Sequence, residues 1–311
     1  MPPPPTDRLR VVRYAPEWGY GASEWAEAIS AIPWARPHAD GGPQRLKITS
    51  RGTPSEDVPV WRATLRLGGR TRDVVLKVEP MRSLRKRLQG WLGWTKPFRQ
   101  WNGAEVVEKA GFRAARPLAI LRGRTELGDI ADVLVLEALP GRSLLELIAW
   151  GDRTGRLGED LTVRERHALA SAVGVWTGDL IRADVGNDDH KPSNIIVLPD
   201  GGFALVDTVA VNLCREPEYD DRTRDLVLND EGPSSSGLNQ DDLDTAALML
   251  CALWLEPAGI GHPISRATSM RAVLGLSRGS RPFAREAWRT VARYIGNHGD
   301  PTPKDDPLAR G

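Results

Sequence analysis

The sequence predicts an α+β chain, and two observations carry that prediction. Before residue 138 the apolar residues alternate in short β-branched runs broken by turn signals, whereas after Gly141 they recur at helical spacing. Strands grouped ahead of helices, in 311 residues with 41% hydrophobic content, suit two lobes with a boundary near 138–142. The expected divisions are an N-terminal extension over 1–43, a sheet-rich N-lobe over 44–138, a helical C-lobe over 139–300 and a flexible tail over 301–311.

Taken in order, the proline-rich start "MPPPPTDRLR" reads as a loose end. Segment 44–79 reads as a meander of three strands, "QRLKIT", "VPVWRATLRL" and "RDVVLKVE", with "GGR" turning between the last two. A helix-prone stretch follows around 98–111, and "RPLAILRGR" and "DVLVLEAL" supply two further strands. "SLLELIAW", "RERHALASAVGVWTGDLI", "DDLDTAALMLCALWLE" and "FAREAWRTVARYI" are then amphipathic helices. Between them, "NIIVL" and "GFALVD" are short strands joined by "PDGG", a hairpin.

Composition narrows the function classes. With 42 Lys+Arg against 41 Asp+Glu the net charge is +1, so no global field favours nucleic acid. Cys214 and Cys251 lie far apart without metal-ligand spacing, which suits buried thiols in a reducing compartment. The N-terminus lacks the apolar core of a signal peptide, and no uncharged apolar run approaches a membrane span. A cytoplasmic protein is expected, at the inner face of the membrane if it contacts one.

The hairpin concentrates the polar chemistry. It brings Asn194, before its first strand, close to Asp207, at the end of its second. Amide and carboxylate oxygens are ligands that Mg²⁺ prefers, and nucleotide phosphates complete its octahedron. Asp189, five residues before Asn194, sits where it would accept a proton from a hydroxyl nucleophile.

"DDHKPSNIIV" followed by "LVD" resembles the catalytic loop and metal-binding strand of the protein-kinase-like superfamily. "VVLKV" at 74–78 resembles that superfamily's lysine strand, and "DVLVLEAL" stands where the hinge binds adenine. Within the superfamily, "VVLKVEPMRSLRKRLQGWLGWTKPFRQWNGAEVVEKAGFRAARPLAI" is similar to the lipopolysaccharide kinase (Kdo/WaaP-like) family, the likeness spanning roughly 44–215. The resemblance implies a protein-kinase-like fold and an ATP- and Mg²⁺-dependent phosphotransferase acting on a sugar hydroxyl of a glycolipid. It implies Asp189 as catalytic base and Lys191 at the transferring phosphoryl. It also implies Asn194 and Asp207 on the metal, with Lys77, a pairing glutamate, Gly52 and Glu137 around the nucleotide. Glu105 and Glu108 share a helix face, and Glu105 is favoured as the partner of Lys77 because Glu108 stands beside Lys109.

The chain departs from that pattern in places. Asn187 replaces the usual histidine two positions before the base, "TV" follows Asp207 in place of Phe-Gly, and the first turn, "TSRGTPSED", offers only Gly52. These departures motivate an alternative, a catalytically impaired kinase-like protein that binds nucleotide or membrane. A small-molecule phosphotransferase of the aminoglycoside type is a further alternative. His190 is expected to be hydrogen-bonded in its loop, and Trp176 and Trp254 to be core.

The basic aromatic insert at 81–101 carries six Lys/Arg and no acidic residue, with Trp91, Trp94, Phe98 and Trp101 interleaved. Such a mixture suits a peripheral contact with an anionic membrane or a phosphorylated glycolipid. The competing reading is a solvated basic face with its tryptophans in the core. No nucleic-acid module accompanies the insert, so no nucleic-acid partner is expected.

Overall fold

The computed structural model describes residues 9–32, 44–47, 60–125, 130–148, 161–213, 240–259 and 263–298. Its organising element is a six-stranded antiparallel sheet in the order β1-β6-β7-β4-β3-β2. The strands are β1 (Arg10–Tyr14), β2 (Gln44–Lys47), β3 (Val60–Leu67), β4 (Arg70–Pro80), β6 (Pro117–Arg124) and β7 (Ile130–Glu137). The turn between β3 and β4 is the pair Gly68–Gly69, both at positive φ (51° and 77°). Leu67 faces Arg70 across this two-residue turn. Positive φ at both central positions matches the right-handed twist of the strands, and glycine adopts it without steric cost.

Strand alternation divides the sheet into two faces. Val74, Leu76, Val78, Val133 and Val135 form one cluster with Trp25 and Ile29 of helix α1 (Ala22–Ser30). Ile120, Leu134 and Leu136 face the other way, with Val75, and pack on Trp101 of helix α3 (Lys96–Lys109). The segment from Leu9 to Ile32 therefore belongs to the sheet: β1 pairs with β6, and Trp25 and Ile29 are fully buried. The sequence reading set 1–43 apart as an extension, because a single short strand and a helix of nine residues carry little periodicity of their own.

The third cluster lies among helices α5 (Val163–Arg182), α6 (Gln240–Gly259), α7 (Arg266–Leu276) and α8 (Arg281–His298), and includes Leu180, Ile181, Leu250, Val273, Leu276 and Val291. α5 and α7 cross closely at small residues. A Cβ on Gly174 would lie 1.9 Å from the carbonyl oxygen of Ala272, and one on Gly275 would lie 2.1 Å from that of Ser171. Ala104 and Val107 of α3 also enter this cluster, so α3 packs against the sheet with one side and the helical core with another. The apolar periodicity foreshadows α3, α5, α6, α8 and α4 (Leu144–Ile148), but not α7, whose "RATSMRAVLGL" mixes polar residues through a short run.

Four short strands make a second sheet in the order β5-β11-β10-β8, from β5 (Arg113–Ala114), β8 (Arg142–Ser143), β10 (Ile195–Val197) and β11 (Phe203–Leu205). β10 and β11 are the expected hairpin, with Ile195 opposite Leu205. β5 pairs in parallel with β11, which ties the segment after α3 directly to the hairpin. β9 (Val185–Asn187) pairs with β12 (Val211–Leu213) and closes the loop region around the hairpin. No described helix is long and apolar enough to cross a membrane. Cys251 is buried, its Sγ donating to the carbonyl of Val291 at 3.5 Å, and burial pushes its thiol up to about 12. Cys214, the tail and Gly52 lie outside the described residues.

Candidate functional site

Lys77 projects from β4 on the face that meets α3, since its neighbours Leu76 and Val78 are buried in the opposite cluster. Its Nζ lies 3.1 Å from Oδ2 of Asp207 and donates to Oε1 of Gln100 at 2.8 Å. Two residues 130 positions apart thus meet, as the sequence expects; the side chains retain 16% and 32% exposure, so the pair is only partly withdrawn from solvent. The loop before the hairpin is held as a unit. Nδ2 of Asn194 donates to the backbone oxygen of Asp189 at 3.0 Å and to its Oδ2 at 2.9 Å. Lys191 forms an ion pair with Oδ1 of Asp189. The hairpin links this loop to the Asp207 segment, because the amide of Val206 donates to the carbonyl of Asn194 at 3.0 Å.

Gln100 is the residue the sequence reading missed. It is buried, and besides accepting from Lys77 its Nε2 donates to the carbonyl of Val206 at 2.9 Å. The expected partners of Lys77 are engaged elsewhere. Glu105 accepts from Arg13 at 2.5 Å and from Nε1 of Trp101 at 2.6 Å, while Glu108 accepts from Arg116 at 2.7 Å. The cause is helical phase: five residues rotate a side chain by roughly 140°, so Glu105 cannot share the face of Gln100. A signal was present, since Gln100 falls in register with Pro97, Ala104 and Val107 on the buried stripe of α3, where a polar residue needs a specific partner.

α3 is fastened to the segment after Asp207 at two further points. Oγ1 of buried Thr208 donates to the carbonyl of Gln100 at 2.6 Å. Gly103 lets the backbones approach: a Cβ there would lie 2.0 Å from the carbonyl oxygen of Thr208.

Glu137 does not join the group. As an odd-numbered residue of β7 it shares the face of Val133 and Val135, away from Lys77, and lines a cavity of about 350 Å³ with Trp18, Tyr20, Arg72 and Asp73. Burial raises its carboxyl above the usual range, with Arg116 opposing. Its amide donates to the carbonyl of Arg116 at 2.9 Å and that of Ala138 to Asp73 at 3.3 Å, so pairing with neighbouring backbone already uses both donors.

The loop is also anchored from below. The amide and Oγ of Ser193 donate to Glu256 of α6 at 2.9 and 2.7 Å, and Oδ1 of buried Asn187 accepts from the amide of Asp189 at 3.1 Å. His190 is fully buried; its Nε2 lies 3.2 Å from Oγ1 of Thr177 and its ring stacks on Trp176, as a structural histidine would. Burial drives its pKa down to about 3, with Asp189 opposing.

Two measurements test this description. Gln100 accepts from an ammonium and donates to a carbonyl at once, which a carboxylate cannot do. Gln100→Glu should therefore lower stability by about 1–3 kcal/mol in denaturant unfolding, despite the nearby lysine; a stabilised variant would contradict the assignment. For His190, the folded pKa lies below the unfolded value near 6.5. Between pH 6.5 and about 3 the unfolded chain thus binds the extra proton, and stability falls as pH falls, by up to about 1.4 kcal/mol per unit. His190→Gln should flatten that part of the stability profile relative to the parent; parallel profiles would show that His190 contributes nothing to it.

No family model matches the chain, and no curated protein matches it. Among solved structures, the chain is similar to one described as WaaP in complex with acyl carrier protein, at 16% identity and a TM-score of 0.42, covering 82% of this chain and 88% of that one.

Proposed function

We propose that this chain is an ATP- and Mg²⁺-dependent phosphotransferase of two-lobed, protein-kinase-like architecture, with a sugar hydroxyl of a lipopolysaccharide-like glycolipid as acceptor. The observation that carries the reading is the meeting of the strand lysine Lys77 with Asp207 at 3.1 Å, beside a loop in which Asn194 holds Asp189 at 2.9 Å. Such enzymes work chiefly by positioning and by electrostatic stabilisation of the transferring group, and these are the residue types that do both. The glycolipid acceptor is supported by the resemblance of the stretch from Val74 to Ile120 to the lipopolysaccharide kinase family.

The donor set suits a hard cation. Nδ2 of Asn194 makes both bonds to Asp189, which leaves its amide oxygen as the ligand atom, and Asp207 supplies a carboxylate. Asn194 and Asp207 would hold Mg²⁺, which when bound neutralises charge on the nucleotide's phosphates. Lys77 would turn from Asp207 to the α and β phosphates, steered by Gln100. Asp189, oriented by Asn194 and Lys191, would take the proton of the acceptor hydroxyl as its oxygen bonds to the γ-phosphorus and the bond from that phosphorus to the β–γ bridging oxygen breaks, releasing ADP, while Lys191 would stabilise the transferring group.

A second reading, a nucleotide-binding protein of impaired catalysis, is favoured by one observation. The residue of α3 that accepts from Lys77 is the neutral Gln100, where the resemblance implies a glutamate.

Titration calorimetry and turnover separate the two. Mg²⁺ should tighten ATP binding, and Asp207→Ala should remove that increment while far-ultraviolet circular dichroism stays unchanged; metal-independent binding in both proteins favours the second reading. Asp189→Asn keeps the shape of the side chain but cannot take a proton. It should spare ATP affinity and lower transfer of labelled phosphate to a bacterial glycolipid extract by on the order of 10²–10⁴-fold. Full activity in that variant would remove Asp189 from the mechanism.

A further inference from the structure

The helix between the two site-bearing elements presents its apolar face outward. α2 (Leu84–Trp91) joins β4, which carries Lys77, to α3, which carries Gln100. Leu84, Leu88 and Trp91 are 82%, 57% and 79% exposed, and Trp94 just beyond the helix is 66% exposed. At about 100° per residue, Leu84, Leu88 and Trp91 form one stripe, and Gly90 lies on the opposite side. Gly90 is the side that meets the body: a Cβ there would lie 2.8 Å from Sδ of Met81 and 3.0 Å from a guanidinium nitrogen of Arg122. Lys86, on the same side as Gly90, reaches Glu79 at 3.6 Å. An amphipathic helix ordinarily buries its apolar stripe against the core; here the small and polar side is against the protein.

The mounting is firm. Arg122 grips buried Asp132 through two bonds of 2.7 and 2.9 Å, Thr95 donates to the same carboxylate at 2.8 Å, and the amide of Lys96 donates to Glu79 at 3.0 Å. The charges complete the pattern, for Arg85 and Arg87 flank the stripe on its two borders, and no acidic residue occurs from Met81 to Trp101.

We infer that α2 and Trp94 dock this protein on an anionic lipid bilayer. Leucines and tryptophans enter the boundary between headgroups and acyl chains, and the flanking arginines meet lipid phosphates. The leucines disfavour single-stranded nucleic acid, which needs stacking rings along its path. A single convex helix bordered by arginines also matches a flat anionic surface better than a groove. Phe98 and Trp101 take no part, being half-buried and buried. The assignment stands on these residues alone and does not require the phosphotransferase reading.

Sedimentation of the full chain with sucrose-loaded vesicles tests it, with no nucleotide present. The protein should pellet with vesicles containing phosphatidylglycerol and far less with phosphatidylcholine alone, and the binding should weaken at high salt. Leu88→Ser with Trp91→Ser should reduce binding on the order of tenfold. Arg85→Glu with Arg87→Glu should remove the preference for anionic lipid. All four positions are exposed, so the fold should survive, which thermal unfolding checks. Equal pelleting of parent and Leu88→Ser/Trp91→Ser, or no pelleting with anionic vesicles, would overturn the inference. So would a dimer in sedimentation velocity that this variant loses, since the stripe would then be covered by a second copy of the chain.

Discussion

The polar site depends on one close approach, the backbone of α3 at Gly103 against the carbonyl of Thr208, where a single methyl group would collide at 2.0 Å. With the two backbones in contact, Gln100 reaches Val206, Thr208 reaches back to Gln100, and Lys77 meets Asp207. Backbone oxygens cannot move away as a side chain can, because each belongs to a segment with its own pairing. The spacing of helix, lysine strand and hairpin is consequently set by sterics before any charge is considered.

Charge is then distributed sparingly. Lys77 faces Asp207 and Lys191 faces Asp189, two partly exposed pairs of opposite sign. Apart from partly buried Glu256, which anchors Ser193, the buried groups around them named above are neutral: Gln100, Asn187, Asn194, Thr208 and a histidine whose burial keeps it uncharged above pH of about 3. Neutral amides can donate and accept at once without the desolvation cost of a buried ion. They hold the two ion pairs in place without adding further buried charge.

The insert at 81–101 shows how a single composition divides in three dimensions. Trp101 packs in the core with its Nε1 on Glu105, as a core tryptophan would, whereas Trp91 and Trp94 stand in solvent. The core reading of the tryptophans holds for Trp101, while Trp91 and Trp94 are the ones left exposed. The division falls where α3 begins, because only α3 lies across the sheet; α2 touches the body along a narrow line through Gly90.

Much was legible in the amino-acid order. The β3–β4 hairpin follows from Gly68–Gly69, the β10–β11 hairpin from its turn residues, and the longer helices from periodicity, since each depends on neighbours in sequence. The loop holding Asp189, Lys191 and Asn194 stood out by its motif, while the bonds of Asn194 and Lys191 to Asp189 came only from the structure. What the tertiary structure decided is every choice between distant alternatives. It gave Lys77 to Gln100 and Asp207 in preference to Glu105, turned Glu137 to the far face of the sheet, and drew β1 and α1 into the core. Helical phase and strand pleat specify which side of an element a residue occupies, but not what will be packed against that side. That follows from which backbones approach, and here a glycine at position 103 admits the approach.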